Sequence, residues 1–173
     1  NVRSNLFRGV FATAQAALAS APPTRPLSYD NEGSANLYLE RLQIDDYDYP
    51  SMFWLKQSFD EGMTSLVDVG GSIGIKYFAF GEFMSYPSNL LWRVIDMPAV
   101  AERGREFAAS RGAPAALQFS GDIADADGVD IIYASGVLQY LPQTLAEIVA
   151  GLKRRPRRII VNTAAIHPSK SFF

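Results

Sequence analysis

Asp68, Asp96 and Asp122 share a placement that could do chemistry, each at or just past the end of an apolar run. Asp68 precedes Gly70, Gly71, Ser72 and Gly74 in the stretch SLVDVGGSIG (65–74). Asp96 closes LWRVID (91–96) and is followed by Met97, while Asp122 follows LQFS (117–120) and is followed by Ile123. The glycines at 70, 71 and 74 let a backbone approach a ligand closely. A carboxylate at the end of a strand can accept both hydroxyls of a ribose, which is the role open to Asp96. Asp122 can accept from an exocyclic amine of adenine, with Met97 and Ile123 giving the ring apolar contact. Asp68 beside the turn would repel a pyrophosphate but attract an ammonium, directly or through water. The dinucleotide fingerprint GxGxxG is absent, because Gly70 and Gly74 bracket Gly71, Ser72 and Ile73. A nucleoside with a cationic amino-acid tail fits this pattern better than a dinucleotide does.

Each acid also has a plain structural reading. Asp68 could form the turn, Asp96 could cap the helix that follows it, and Asp122 could be a solvated loop acid beside Asp125 and Asp127.

These residues need a frame that brings strand ends together. Apolar runs at 65–69, 91–96, 117–120, 129–134 and 157–163 predict strands, and the stretches between them read as helices at 75–83, 99–111 and 145–153. Val100, Gly104, Phe107 and Ala108 share one face of the 99–111 helix. Strands alternating with helices predict βαβ units and a mostly parallel sheet covered on both faces. In such a sheet the ends after 69, 96, 120 and 134 lie along one edge, adding Ser135 and Gly136 to the group. Ahead of the first strand, helical patterns at 4–19, 31–42 and 51–62 predict a lead-in, broken by APPTRP (21–26) and by DDYDYP (45–50). Tyr47, Tyr49, Phe53 and Trp54 are expected in the core of that lead-in, or as a lid over an acceptor pocket.

Composition narrows the classes. With 173 residues, 48% hydrophobic and 20% charged, the chain can bury a proper core. A net charge of −2 offers no attraction to a nucleic-acid backbone or an anionic membrane. The run KRRPRR (153–158) reads as a solvated turn. Cysteine is absent and histidine occurs once, which excludes disulfides, thiolate metal sites and multi-histidine metal sites. No apolar run reaches the ~18–20 residues of a membrane span, and no signal peptide is visible. A cytoplasmic location is the resulting expectation.

At this point a resemblance carries further. LVDVGGSIG resembles the first motif of class I S-adenosylmethionine (SAM) methyltransferases, with Ser72 where many have the middle glycine. VIDMPAV (94–100) and FSGDIAD (119–125) look like the second and third motifs, and DIIYASGVLQYLP (130–142) like the fourth-strand motif. A bacterial family of methyltransferases sharing the GGSxG turn and the SGVLQYL segment is similar over roughly 45–173. The resemblance implies a Rossmann-like α/β fold: a helical lead-in or lid over 1–62 and a SAM-binding domain over 63–173. It also implies a bacterial source and SAM as cofactor, held by Asp68, Gly70, Gly71, Ser72, Gly74, Asp96, Met97, Asp122, Ile123, Ser135 and Gly136. Small-molecule O-methyltransferases of the plant type place a histidine base after the fourth strand; here Gln139 stands there. His167 is the other candidate for acid–base work, although both it and Gln139 also read as ordinary surface or packing residues. The class carries a β-hairpin after its fifth strand, and the sequence stops at Phe173 before it, so the hairpin is expected to be missing.

The implied reaction moves a methyl group from SAM to a small-molecule or sugar-like acceptor, with no nucleic acid, membrane or metal involved. The sequence names neither the acceptor nor the oligomeric state. A non-catalytic module binding SAM or S-adenosylhomocysteine stays open, as does a nicotinamide-dependent oxidoreductase.

Overall fold

The computed structural model describes residues 9–21, 42–166 and 168. The helix expected at 31–42 falls almost wholly outside them, as do the first residues of the one expected at 4–19 and the candidate His167. Of the first helix, α1 (Ala14–Ala19) is described, with the Thr13 side chain accepting from Ala16 N.

The remaining elements follow the alternation read from the sequence. They are α2 (Tyr49–Asp60), β1 (Ser65–Val69), α3 (Ile75–Gly81), β2 (Leu91–Ile95), α4 (Pro98–Ser110), β3 (Leu117–Ser120), β4 (Ile131–Ser135), α5 (Leu145–Gly151) and β5 (Arg158–Asn162). Short 3-10 turns occupy Asp46–Asp48, Ile123–Ala126 and Leu138–Tyr140. Helix α2 begins two residues before the expected 51, because Pro50 suits the first helical turn, where no N–H is required. Helix α5 starts from a capping box in which Thr144 and Glu147 satisfy each other's backbone N–H.

All five strands pair in parallel in the order β3-β2-β1-β4-β5. The chain works outward from β1 to β3, then returns to place β4 on the other side of β1. The gap between β1 and β4 is therefore the switch point, where sheets of this kind bind ligands at their carboxyl ends. One face buries Leu66, Trp92, Val94, Ile131, Tyr133 and Ile160 against Leu55 and Phe59 of α2 and Phe80 of α3. The other buries Val67, Val69, Ile95, Ile132 and Ala134, with Leu145 and Val149 of α5 packed on them. Side chains such as Leu55 and Phe80 contribute about 1.5–3 kcal/mol each by leaving water.

At the amino end of β1, Asp130 accepts from Thr64 N at 3.0 Å, Ser65 N at 3.1 Å and Ser65 Oγ at 2.9 Å. This pins the start of β1 to β4, so the opposite ends of those strands form the open edge. Among the described residues no helix is long and apolar enough to cross a membrane.

The four aromatic side chains expected in the core of the lead-in are not there. Tyr47, Tyr49, Phe53 and Trp54 are 51%, 58%, 61% and 49% exposed. The inward face of α2 belongs instead to Ser51, Leu55, Ser58 and Phe59, a spacing that rotates Phe53 and Trp54 outward.

Candidate functional site at the carboxyl edge of the sheet

The turn after β1 is held from the β2 side. Gly70 N donates to Ile95 O at 2.8 Å, and Ser72 N donates to Asp96 Oδ2 at 2.8 Å. The other oxygen of Asp96 accepts from Met97 N at 2.8 Å. One carboxylate thus ties the glycine turn to the segment leaving β2. A carboxylate oxygen can accept more than one hydrogen bond, so the ribose role and the structural role are compatible. Met97 is 42% exposed beside it, an apolar surface open to a ring.

From the other side, the segment after β4 closes on the same turn. Gly70 has φ +69°, and a Cβ on it would lie 2.3 Å from Val137 Cγ2. The bare face of Gly70 therefore meets Val137, not open space awaiting a ligand. Gly136 N donates to Asn162 O at 3.0 Å, and Ser135 Oγ lies 3.4 Å from Thr163 Oγ1. Gln139 is exposed, and its Nε2 donates to Gly136 O at 2.8 Å, so its amide braces this segment.

Asp68 lies beneath the turn. It is 1% exposed, and a Cβ on Gly71 would lie 2.4 Å from its Oδ2. Asp68 shares the sheet face of Leu66, since side chains alternate along a strand, and Gly71 folds over it. Trp92 Nε1 donates to Oδ2 at 3.3 Å. Burial pushes the carboxyl up to about 7; the Trp92 hydrogen bond opposes this, Asp96 adds to it and the Lys76 cation opposes it. Tyr133, directly across on β4, has its phenol raised by burial. Its hydroxyl meets no well-formed partner, although the Ser135 and Ser51 hydroxyls lie near it.

Asp122 sits apart from this knot. Its Oδ1 accepts from Ala124 N at 2.8 Å, capping the 3-10 turn that begins at Ile123, and the residue is exposed. Asp68, Gly70, Gly71, Ser72, Gly74, Asp96 and Met97 therefore gather at the β1–β2 ends, with Ser135 and Gly136 alongside on β4. Asp122 and Ile123 follow β3, the edge strand.

Sequence reading missed two groups here. Val137 is one. The other is the pair of Asp48, fully buried, and Lys76, whose Nζ donates to Asp48 Oδ2 at 2.6 Å. Asp48 Oδ2 also accepts from Asp45 N at 3.0 Å, and Asn162 Nδ2 reaches Oδ1 at 3.4 Å. Asp48 so links the lead-in to the helix after the glycine turn and to the end of β5. A signal was present: an acid three residues after another acid, just before Tyr-Pro, is a capping pattern that draws Asp48 inward.

No protein-family model matches the chain, and no curated protein matches it. Solved structures do. A protein of Methanococcus maripaludis, provisionally assigned as an S-adenosyl-L-methionine-dependent methyltransferase, superposes with a TM-score of 0.51 at 15% identity. The match covers 73% of this chain and 59% of that one, so this chain spans under two thirds of that relative's length. The mitomycin 7-O-methyltransferase is similar at a TM-score of 0.44, 18% identity, 91% of this chain and 60% of that one. A riboflavin-analogue dimethyltransferase of Streptomyces davawensis is similar at 0.45 and 19%, over 79% and 38%. The strand order, the parallel pairing and the first of these likenesses agree: the chain has the Rossmann-like α/β fold of class I methyltransferases.

Proposed function

We propose that the chain binds S-adenosylmethionine at the carboxyl edge of β1 and β2 and transfers its methyl group to a small-molecule or sugar-like acceptor. The observation carrying this reading is the acid sealed directly under the glycine turn. A pyrophosphate seated on that turn would meet Asp68 as a like charge, whereas a cationic amino-acid tail favours its ionised form. The likeness of fold to methyltransferases supports the coarser part of the reading.

The remaining residues suit the nucleoside. Asp96 offers the ribose two oxygens already fixed in direction by Ser72 N and Met97 N, and Met97 offers the adenine an apolar contact. Asp122 and Ile123 are assigned the far side of the ring. Bound SAM supplies a methyl group already activated on a sulfonium. What the chain must add is alignment and dryness: the turn and Asp96 fix the donor, and the segment 135–140 walls the switch point against water. A strong base is not obligatory, which suits Gln139 at the place where plant-type enzymes carry histidine. Gln139 acts in this reading by holding the acceptor wall, and His167 is assigned the acceptor's proton. Because Gln139 is tied back to Gly136 O, a module that binds the cofactor without turning it over is the second reading. The acidic balance of the chain favours a small acceptor over nucleic acid.

SAM and S-adenosylhomocysteine are expected to raise the melting temperature of the full-length protein, and NAD and NADP to leave it unchanged. Binding to the folded state alone stabilises by about 2.7 kcal/mol at a hundredfold excess over Kd. A shift with the nicotinamide cofactors in place of the sulfur nucleosides would turn the assignment to an oxidoreductase. Release of labelled methyl into a pool of metabolites then separates an enzyme from a binding module.

Asp96→Ala is expected to weaken SAM by ~1.5–3 kcal/mol, the range for hydrogen bonds to a charged group. It should also lower the ligand-free melting temperature, because Ser72 N–H and Met97 N–H lose their acceptor. Asp96→Asn, which keeps one acceptor oxygen, should do less of both. Titration calorimetry with unchanged affinity in both variants would reduce Asp96 to a structural tie.

A further inference from the structure

Stability does not explain the pair of Asp48 and Lys76. The cost of taking two charges out of water largely cancels their attraction, so apolar side chains of like volume often serve as well. Lys76 also lies in the first turn of α3, the end of a helix where a cation is disfavoured. Yet the cation is held closely. Its Nζ donates to Asp48 Oδ2 at 2.6 Å and lies 5.8 Å from the centres of the Tyr47 and Phe80 rings. Asp48 in turn accepts from Asp45 N at 3.0 Å and lies 3.4 Å from Asn162 Nδ2, so the lead-in and β5 fix where the cation rests.

A second acid lies within reach of that charge. Burial raises the Asp68 carboxyl, and of the two groups that lower it Lys76 has less effect than Trp92. Burial likewise raises the Tyr133 phenol, and the charges of Asp68 and Asp48 both add to it, so the two acids flank one region of the sheet. Lys76 is thus near enough for Asp68 to feel, but bonded elsewhere. Set loose on its flexible stem, it would turn to Asp68 and neutralise the carboxylate that a cationic tail requires. We propose that Asp48 is a positioning residue for the cofactor tail: it anchors Lys76 to the lead-in and so keeps the Asp68 carboxylate free for the ammonium. The lead-in then takes part in ligand selection without touching the ligand. This rests on the cofactor reading of the preceding section.

The test measures SAM, S-adenosylhomocysteine and adenosine by titration calorimetry on the full chain, Asp48→Asn, Lys76→Met and the double variant. Asparagine keeps an oxygen for Asp45 N, and methionine keeps most of the lysine stem. Asp48→Asn should bind both sulfur nucleosides about tenfold more weakly, the loss of one charged contact. Adenosine, which lacks the tail, should bind as to the parent. Adding Lys76→Met removes the competing cation, so the double variant should return both to within about twofold of the parent. Lys76→Met alone should keep the parent's preference for them. A purely structural pair would not be rescued by removing more of it. Unchanged SAM affinity in Asp48→Asn overturns the proposal, as does a loss shared by adenosine, which would mark a general distortion of the edge. A loss for SAM alone would put the effect on the sulfonium and also overturn it. So would a double variant as weak as Asp48→Asn, or a loss of the sulfur nucleosides in Lys76→Met, which would place the lysine on the tail itself. If Asp48→Asn does not fold, the double variant decides: the parent's preference supports the proposal and its loss overturns it. A parent that does not prefer the sulfur nucleosides to adenosine fails the cofactor reading as well; a parent that does, with indifferent variants, sinks this inference alone.

Discussion

Asp68→Asn is expected to be more stable than the parent protein above pH 7 and to lose the parent's decline in stability between about pH 4 and 7. The carboxyl is raised from 3.8 to about 7 by burial, so the folded state holds a proton that the unfolded chain has already released. The stabilisation it brings is complete below pH 4, shrinks as pH rises, and is gone once pH passes the folded value. At ~1.4 kcal/mol for each pH unit of separation, the difference across that window is roughly 4 kcal/mol. Asparagine does not titrate, and its oxygen can still accept from Trp92. Urea denaturation midpoints at pH 5, 6, 7 and 8 give the result, and parallel profiles for the two proteins would overturn it. The same variant tests the tail. If Asp68 reads the ammonium of SAM, the affinity for SAM falls well below the parent's while that for adenosine, which lacks the tail, holds. Equal losses would remove the main physical support for a cationic tail at this turn.

Gly70→Ala is expected to be the most disruptive single methyl at the site. The added carbon meets Val137 Cγ2 at 2.3 Å, and φ +69° disfavours any side chain. The backbone penalty is about 1–2 kcal/mol and forced overpacking another ~1–3 kcal/mol. For a chain of this size that is a fall in melting temperature of roughly 4–20 °C. Adding Val137→Ala should recover the packing part and leave the backbone part. A double-mutant cycle on the two positions is therefore expected to show a coupling of about 1–3 kcal/mol. Additive effects would mean that Val137 moves aside freely and that the contact does not set the turn. The sequence suggests a different collision, between a methyl at 70 and the cofactor; the structure puts a side chain from the segment after β4 in that space. Loss of binding in Gly70→Ala would therefore not by itself report on the ligand.

Much of the sheet is readable from residue types because each strand is a short apolar run closed by small or acidic residues. β1 and β3 have the bounds that their hydrophobicity suggests, and the glycine turn follows β1 directly. Strand order is not written in any run; alternation with helices implies parallel pairing but not which neighbour each strand takes. The candidate site was legible where an acid closes an apolar run, as Asp96 does just after β2, where its carboxylate ties the glycine turn to Met97 N. It was illegible where orientation depends on alternation plus a turn folding back. Asp68 shows this: period-two counting puts it on the Leu66 face, and only the path of Gly71 decides that it is sealed rather than facing out. Val137 and Lys76 were hidden for another reason, since a valine in a loop and a lysine on a helix carry no mark of the partner they will meet. The exposed Phe53 and Trp54 reverse the expectation that aromatic residues seek the core, because the helical face filled by Leu55 and Phe59 leaves them on the outside.

The contacts that seat α2 carry a consequence for how the chain folds. Arg158 on β5 donates to Ser58 Oγ at 2.8 Å and to Glu61 at 2.9 Å, and Asn162 reaches Asp48 at 3.4 Å. Those partners are separated by 100, 97 and 114 residues of chain. On a ribosome, which adds ~5–20 residues each second and lets segments fold as they emerge, α2 appears well before the strand it docks on. Leu55 and Phe59 can be covered by β1, α3 and β2 as these emerge, but the polar contacts that lock the helix must wait until β5 has been made. Closing loops that long precedes the reward of the contacts they permit, which slows folding. Helix α2 is thus made well before the strand whose polar contacts lock it in place.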